Sequence, residues 1–331
     1  MYINQFYELS MVLDREKFYE ILNRAYNKAD CLEENEGEYK DHSLVSKGIT
    51  VIYRNSRYKK KIKLIVNSRL VLDCDNPDPD KFIRKLGKRI GEYFAFKYQM
   101  ADFTLSGMIL VIDIDAHVRE NVGAYLKVLK KIGKVKGFTP SSYECLDGVD
   151  SFCLAGNSNG IEFLLYDLEA MCMKRLKEMD SKQRKLKTIV GESEGILRVE
   201  VRLTKQKAIR DYADITDVRK QIEILSEHRE EIFMDIFARI IPFGDYYKKD
   251  KAVEIIRREV EDSTLRRKML RLVALIPEKK SLYLAQKSME CRNIEKVMDA
   301  FARINLSPVT VSKRQNANHI KNIYKCLFGE R

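Results

Sequence analysis

Apolar and charged side chains alternate along residues 196–203, ILRVEVRL. Leu197, Val199, Val201 and Leu203 fall on one side, Arg198, Glu200 and Arg202 on the other. That period of two predicts a strand with one buried face. GMILVIDIDAHV (107–118) is a β-branched apolar run that ends in acids, and it predicts a central strand. Two strands are expected in GITVIYRNSRYKKKIKLIVN (48–67), around a turn at Asn55–Ser56. Two shorter ones fit 149–155 and 160–166, on either side of the turn-forming GNSNG. Helical spacing puts Phe82, Leu86, Ile90 and Tyr93 on one stripe of 78–100. Further helices are predicted over 119–132 and 168–187.

Past Tyr212 the pattern becomes almost continuous helix, with segments near 216–240, 249–260, 263–275, 280–291, 293–304 and 308–327. Pro242–Gly244, Pro277 and Pro308 read as breakers between them. Ser307 and Pro308 suit the cap and first turn of the last helix. The predicted fold class is α+β, an antiparallel-sheet, nuclease-like domain over 1–215 followed by an all-helical basic domain over 216–331. A length of 331 residues accommodates two such units.

Charge sharpens this division. The formal net charge is +12, and Lys248 to Lys325 holds 19 basic and 9 acidic residues, a net of +10. A positive field concentrated in this way favours a polyanion such as DNA. No stretch is long and apolar enough to span a membrane. The first residues lack the basic-then-apolar layout of a secretory signal. Seven cysteines without a CxxC pair read as reduced thiols, several of them buried, in a cytoplasmic protein.

The acids carry the candidate chemistry. Asp113 and Asp115 share a strand face, as do Glu162 and Tyr166. If these strands neighbour 196–203, Asp113, Asp115, Glu162 and Glu200 converge and could bind Mg²⁺ or Mn²⁺, which polarises a scissile phosphate. Ordinary cross-strand ion pairs on a half-wet sheet are the alternative. In the basic half, the helix NIEKVMDAFARI, a short connection and the helix from Ser307 outline a helix-turn-helix. Its second helix would present Thr310, Lys313 and Arg314 to DNA. Arg266, Arg267, Lys268 and Arg271 would add phosphate contacts. RYKKKIK (57–63) and KRLKEMDSKQRKLK (174–187) are further basic stretches that either track a DNA strand or form solvated faces.

LVIDID, then SFCLAGNSNGIEFLLYDLE, then ILRVEVRL resembles the replication initiators of rolling-circle plasmids and filamentous phages, with the replication-initiation factors of integrative elements. The resemblance covers roughly residues 50–215. It implies a sheet-based nuclease domain, a metal held by acids and a tyrosine that attacks DNA. Carried over by position, Asp113 and Glu200 face the metal, with Asp115 or Glu162 assisting. Two positions depart from the pattern. Where the family has its tyrosine, two residues before the hairpin glycine, this chain has Leu154, and where a lysine follows Tyr-Asp it has Leu168. A phenolic nucleophile stores the energy of the cleaved bond in a phosphodiester, which leucine cannot do. Tyr212 and Tyr166 are the candidate substitutes, with Tyr212 narrowly preferred.

The expected function is therefore initiation of a mobile element's DNA replication by site-specific nicking and strand transfer. The alternative is a non-catalytic, sequence-specific DNA-binding protein derived from such an initiator, and an RNA-binding protein stands third. Origin DNA, duplex and single-stranded, is the expected partner. A host helicase and a homodimer are left open.

Overall fold

A computed structural model describes residues 2–26, 36–74, 78–116, 119–178 and 191–328. The chain is α+β, built on one nine-stranded sheet in the order β2-β3-β4-β1-β5-β9-β8-β7-β6. The strands are β1 (Asn4–Leu13), β2 (Gly37–Asp41), β3 (Ile49–Asn55), β4 (Lys60–Asn67), β5 (Thr104–Asp115), β6 (Phe138–Pro140), β7 (Ser151–Gly156), β8 (Ile161–Asp167) and β9 (Ile196–Leu203). Every neighbouring pair is antiparallel. The alternation read in β5, β8 and β9 constrains their pairing, because a slip of one residue would turn an apolar set to the other face.

That face is covered by helices. Those of the first half are α1 (Arg15–Tyr26), α2 (Ser68–Leu72), α3 (Pro79–Tyr93) and α4 (Arg119–Leu129), whereas α5 (Leu168–Glu178) packs on the opposite face. Then come α6 (Gln206–Tyr212), α7 (Val218–Glu227) and α8 (Arg229–Ile240). Phe82, Leu86 and Ile90 of α3 bury the stripe that their spacing predicts. Asp78 caps that helix through Lys81 N at 2.8 Å, and Pro79 takes its first turn. Phe237 of α8 meets Phe163 of β8 at 6.1 Å between ring centroids. One core runs from Tyr7 and Leu9 through Leu110, Val199 and Val201 to Tyr246, Ile256 and Phe301 in the C-terminal part. The opposite face of β7–β9 has its own smaller cluster, where Leu146, Val149, Leu168 and Met171 close over Cys153, Leu164 and Tyr166. Of the described cysteines, only Cys153 is buried.

The C-terminal part is helical as expected through α9 (Lys249–Glu259), α10 (Ser263–Lys279), α11 (Leu282–Ser288) and α12 (Ile294–Arg303). Pro277 does not break α10 but lies inside its last turn. The helix expected over 308–327 is not there. Only α13 (Ile323–Phe328) forms, and residues 306–311 run buried and non-helical. Ser307 N donates to Asp245 O at 2.8 Å and Val311 N to Tyr247 O at 2.9 Å. A short ribbon pairs β10 (Tyr246–Tyr247) with β11 (His319–Ile320). The β-branched run Val309–Thr310–Val311 favours this extended path, and Pro308 is as compatible with it as with a helix start. The basic stretch 174–187 lies partly outside the described residues. β1, at the middle of the sheet, and β2, at its edge, have no counterpart among the strands that the sequence pattern predicts.

Candidate functional site

On the face of the sheet away from the main core, registers bring β5, β9, β8 and β7 into three rows. Asp113, Arg198, Tyr166 and Ser151 form the first. Val111, Glu200, Leu164 and Cys153 form the second, and Ile109, Arg202, Glu162 and Ala155 the third. Asp113, Glu162, Tyr166 and Glu200 therefore share one face, as the alternation along their strands predicts.

What they do there is set by the two arginines between them. Arg198 grips Asp113 with two bonds, Nε to Oδ1 at 2.6 Å and Nη2 to Oδ2 at 2.7 Å. Arg202 places Nε and Nη2 on Glu200 Oε2 at 2.8 and 2.6 Å. The Tyr166 hydroxyl donates to the other oxygen, Glu200 Oε1, at 2.5 Å. Glu162 lies 4.0 Å from Arg202, whose guanidinium also stands 5.7 Å from the Tyr143 ring centroid. Bidentate arginine–carboxylate geometry is among the strongest charge-assisted pairings. Burial opposes the positive charge on both arginines, but the carboxylates outweigh it and hold both guanidinium pKa values above their usual range. For Tyr166, burial and then the charge of Glu200 push the phenol far up, so the hydroxyl keeps its proton.

This arrangement does not fit a divalent cation. Among the described residues no group of three or more His, Cys, Asp or Glu side chains is placed to hold one ion. Both oxygens of Asp113 and of Glu200 are already taken by arginine or tyrosine protons. Asp115 is exposed at the end of β5, two residues beyond Asp113. A Mg²⁺ or Mn²⁺ ion here would have to displace two guanidinium groups first.

The tyrosines divide differently than expected. Tyr166 stands beside the acids but is only 3% exposed. Tyr212, the narrowly preferred nucleophile, is on the wrong side of the sheet. It ends α6, whose Ala208 and Ile209 enter the main core with Val199 and Val201, the face opposite Glu200. Its hydroxyl donates to Asp235 at 3.3 Å, and burial followed by that carboxylate pushes its pKa up to about 12. The reason is geometric: a helix that follows β9 directly must cover one face, and the apolar residues of α6 choose the core side.

In the C-terminal part, Arg267, Lys268 and Arg271 of α10 line an open groove of about 650 Å³ with Met289, Glu290, Cys291 and Arg292. Four cations thus face one acid. The sequence pattern does not single out Arg292, which sits in a turn rather than in the basic run of α10. Arg266 is half-buried, and its Nη1 donates to Val260 O at 3.3 Å, so it braces the helix start. Thr310 cannot reach a groove of DNA. It is buried at 3% exposure, and its carbonyl accepts from Lys131 Nζ at 2.6 Å. Lys313 and Arg314 are exposed, but in a turn and not on a helix. The helix-turn-helix outline moves back by one pair, to α11, the turn at 289–293 with Glu290 at φ 50°, and α12. The exposed face of α12 mixes Glu295 and Asp299 with Lys296 and Arg303.

No protein-family model matches the chain, and no curated protein does. A solved structure of a rolling-circle replication initiator protein from Geobacillus stearothermophilus aligns with 78% of this chain and 88% of that one. The TM-score is 0.30 and the identity 12%. A likeness that distant does not establish a shared fold.

Proposed function

We propose that the chain is a DNA-binding protein of the rolling-circle initiator type that engages its origin without nicking it. The groove where Arg267, Lys268, Arg271 and Arg292 surround the single acid Glu290 carries the DNA-binding part of this reading. Such a density of cations suits consecutive phosphates, and phosphate contacts position a protein on a duplex. The ordered strings LVIDID, GNSNG with YDLE, and ILRVEVRL support the initiator type. Chemistry at the two candidate tyrosines supports the part of this reading that excludes cutting. A transferable phosphodiester needs a deprotonated, accessible nucleophile, whereas Tyr166 is buried and Tyr212 lies across the sheet from the acids.

A second reading, nicking and strand transfer through Tyr166, rests on the 2.5 Å contact of its hydroxyl with Glu200. A carboxylate within hydrogen-bond reach of a nucleophile's proton is the geometry of a general base. One experiment separates the two. The whole protein is incubated with supercoiled plasmid carrying its own gene region, with Mg²⁺ or Mn²⁺. The proposal expects retarded but uncut plasmid. Nicked circles with protein joined through Tyr166 would establish the second reading instead.

A further inference from the structure

The β3–β4 hairpin ends in a side chain that its turn does not require. Its tip, Ser56 to Lys59, is closed by Ser56 N to Lys59 O at 3.2 Å, and Ser56 Oγ bonds both the carbonyl and the amide of Lys59. Lys60 stitches the base of the tip together, with Nζ on Asn55 Oδ1 at 2.5 Å and on Ser56 O at 2.8 Å. Two-residue hairpin loops favour Asn and Gly, yet the tip residues are Arg57 and Tyr58. Tyr58 is 86% exposed, more than any other large apolar side chain among the described residues. The Arg57 guanidinium stands 5.7 Å from its ring.

Below the tip lies a groove of about 530 Å³, lined among others by Arg15, Tyr19, Asn55, Arg57, Lys59 and Lys60. Tyr19 carries two cations at its ring, Arg15 at 5.9 Å and Lys60 at 5.8 Å. The groove's acids are Asp14 and Glu36, and Asp14 is already paired with Lys17 at 3.0 Å. Arg57 and Lys59 form no ion pair with a described residue. Just behind the tip, burial and then the charges of Lys63 and Arg54 push the Lys61 ammonium pKa down.

A single exposed aromatic is ordinary on a protein surface. An aromatic on a pinned tip, above a cation-lined groove, is the combination that binds single strands: bases stack on the ring while the groove follows the phosphates. We infer that the β3–β4 hairpin is a single-stranded DNA grip, with Tyr58 stacking on a base and Arg57, Lys59 and Arg15 holding the neighbouring phosphates. This rests on the DNA-binding reading but uses a surface separate from the α10 groove. The partner is an unpaired strand, because a base inside a duplex shows its face only to its stacked neighbours.

The test uses the whole protein and four fluorescent probes: oligo-dT of about 15 nucleotides, an abasic oligomer and an RNA strand of the same length, and a short duplex. The wild type is expected to bind oligo-dT about tenfold or more tighter than the abasic strand. Tyr58→Ala should erase that preference and leave duplex affinity unchanged, and Tyr58→Phe should keep it. If Tyr58→Ala binds oligo-dT as the wild type does, or Tyr58→Phe loses as much as Ala, the hairpin inference is overturned while duplex binding still stands. Tighter binding of an RNA strand than of oligo-dT would overturn the assignment to DNA. A wild type that binds none of the probes would remove the DNA-binding reading itself.

Discussion

The Tyr166 hydroxyl donates to one oxygen of Glu200 at 2.5 Å while Arg202 holds the other through two nitrogens. Glu200 is 7% exposed, and these partners take the place of the water that burial removes from its oxygens. A carboxylate placed this way is a structural element, and its removal should cost stability. Glu200→Gln strands the charge of Arg202 and should cost roughly 2–4 kcal/mol, toward the lower part of the range for broken buried pairs because Arg202 is partly exposed. Tyr166→Phe removes one bond to a charged acceptor and should cost about 1.5–3 kcal/mol. Urea unfolding of both variants measures this. Were Glu200→Gln more stable than the wild type, the network would carry strain kept for activity, and the nicking reading would gain.

Duplex binding through the α10 groove predicts a specific salt signature. Each phosphate contact releases condensed counterions and adds about 0.9 to the slope of log affinity against log salt. Replacing both Arg267 and Arg271 by Ala should flatten that slope by about 2 and weaken all duplex sequences alike. Titrations at several salt concentrations give the slope directly. An unchanged slope would place the duplex elsewhere.

Much of this site was legible because strand alternation fixes which side chains share a face. Period alone put Asp113, Glu162, Tyr166 and Glu200 off the apolar faces of their strands, and the strand order β5-β9-β8 brings those faces together. Their chemistry could not be read that way, because the partner of each acid depends on cross-strand register. Arg198 lies two residues from Glu200 on the same strand face, yet its guanidinium serves Asp113 on β5. Tyr212 failed for a related reason: a local pattern shows that a helix follows β9, but not which side of the sheet it covers. The 308–327 segment failed because Ser-Pro is a helix-start signal and also an extended one. The seat beside Asp245 and Tyr247, more than sixty residues earlier in the chain, decides between them.

Asp41 provides a pH-dependent test near the far edge of the sheet. Burial pushes its carboxyl up, but the Tyr93 hydroxyl at 2.6 Å and the Ser43 amide at 2.8 Å outweigh this and hold the pKa below its usual value. A carboxylate with a depressed folded-state pKa stabilises fully above its unfolded value of about 3.9, and the effect is lost as pH falls through the folded value. Tyr93→Phe should therefore cost about 1 kcal/mol at neutral pH, a figure discounted for the partial exposure of Asp41. The deficit should shrink as the pH drops below about 4, where the wild type loses the same contact. Unfolding curves at neutral and acid pH decide it, and a deficit independent of pH would show that the lost bond between the Tyr93 and Tyr53 hydroxyls, 2.7 Å apart, and not the Asp41 contact, is responsible.

The seating of the 305–311 segment can be tested at Gly244. Its φ of +127° is a backbone conformation that side chains rarely adopt. A Cβ there would lie 2.3 Å from Leu306 C, 2.4 Å from Ser307 N and 2.6 Å from Leu306 O. These are backbone atoms, held in turn by the bonds from Asp245 N to Asn305 O at 3.0 Å and from Ser307 N to Asp245 O at 2.8 Å. They cannot rotate aside as a side chain could, so either this ribbon opens or the Gly244 loop shifts. Gly244→Ala should cost at least about 2 kcal/mol, from overpacking and the unfavourable φ together. Gly87, inside α3, is the matched control, since a methyl group added there would meet nothing within 4 Å. Gly87→Ala should be stabilising by about 0.5–1 kcal/mol, since alanine loses less backbone entropy in a helix. Thermal melts of the two variants should thus move in opposite directions. A Gly244→Ala variant that melts with the wild type would mean that the 305–311 segment is not held against Asp245, and Thr310 would again be free to face DNA.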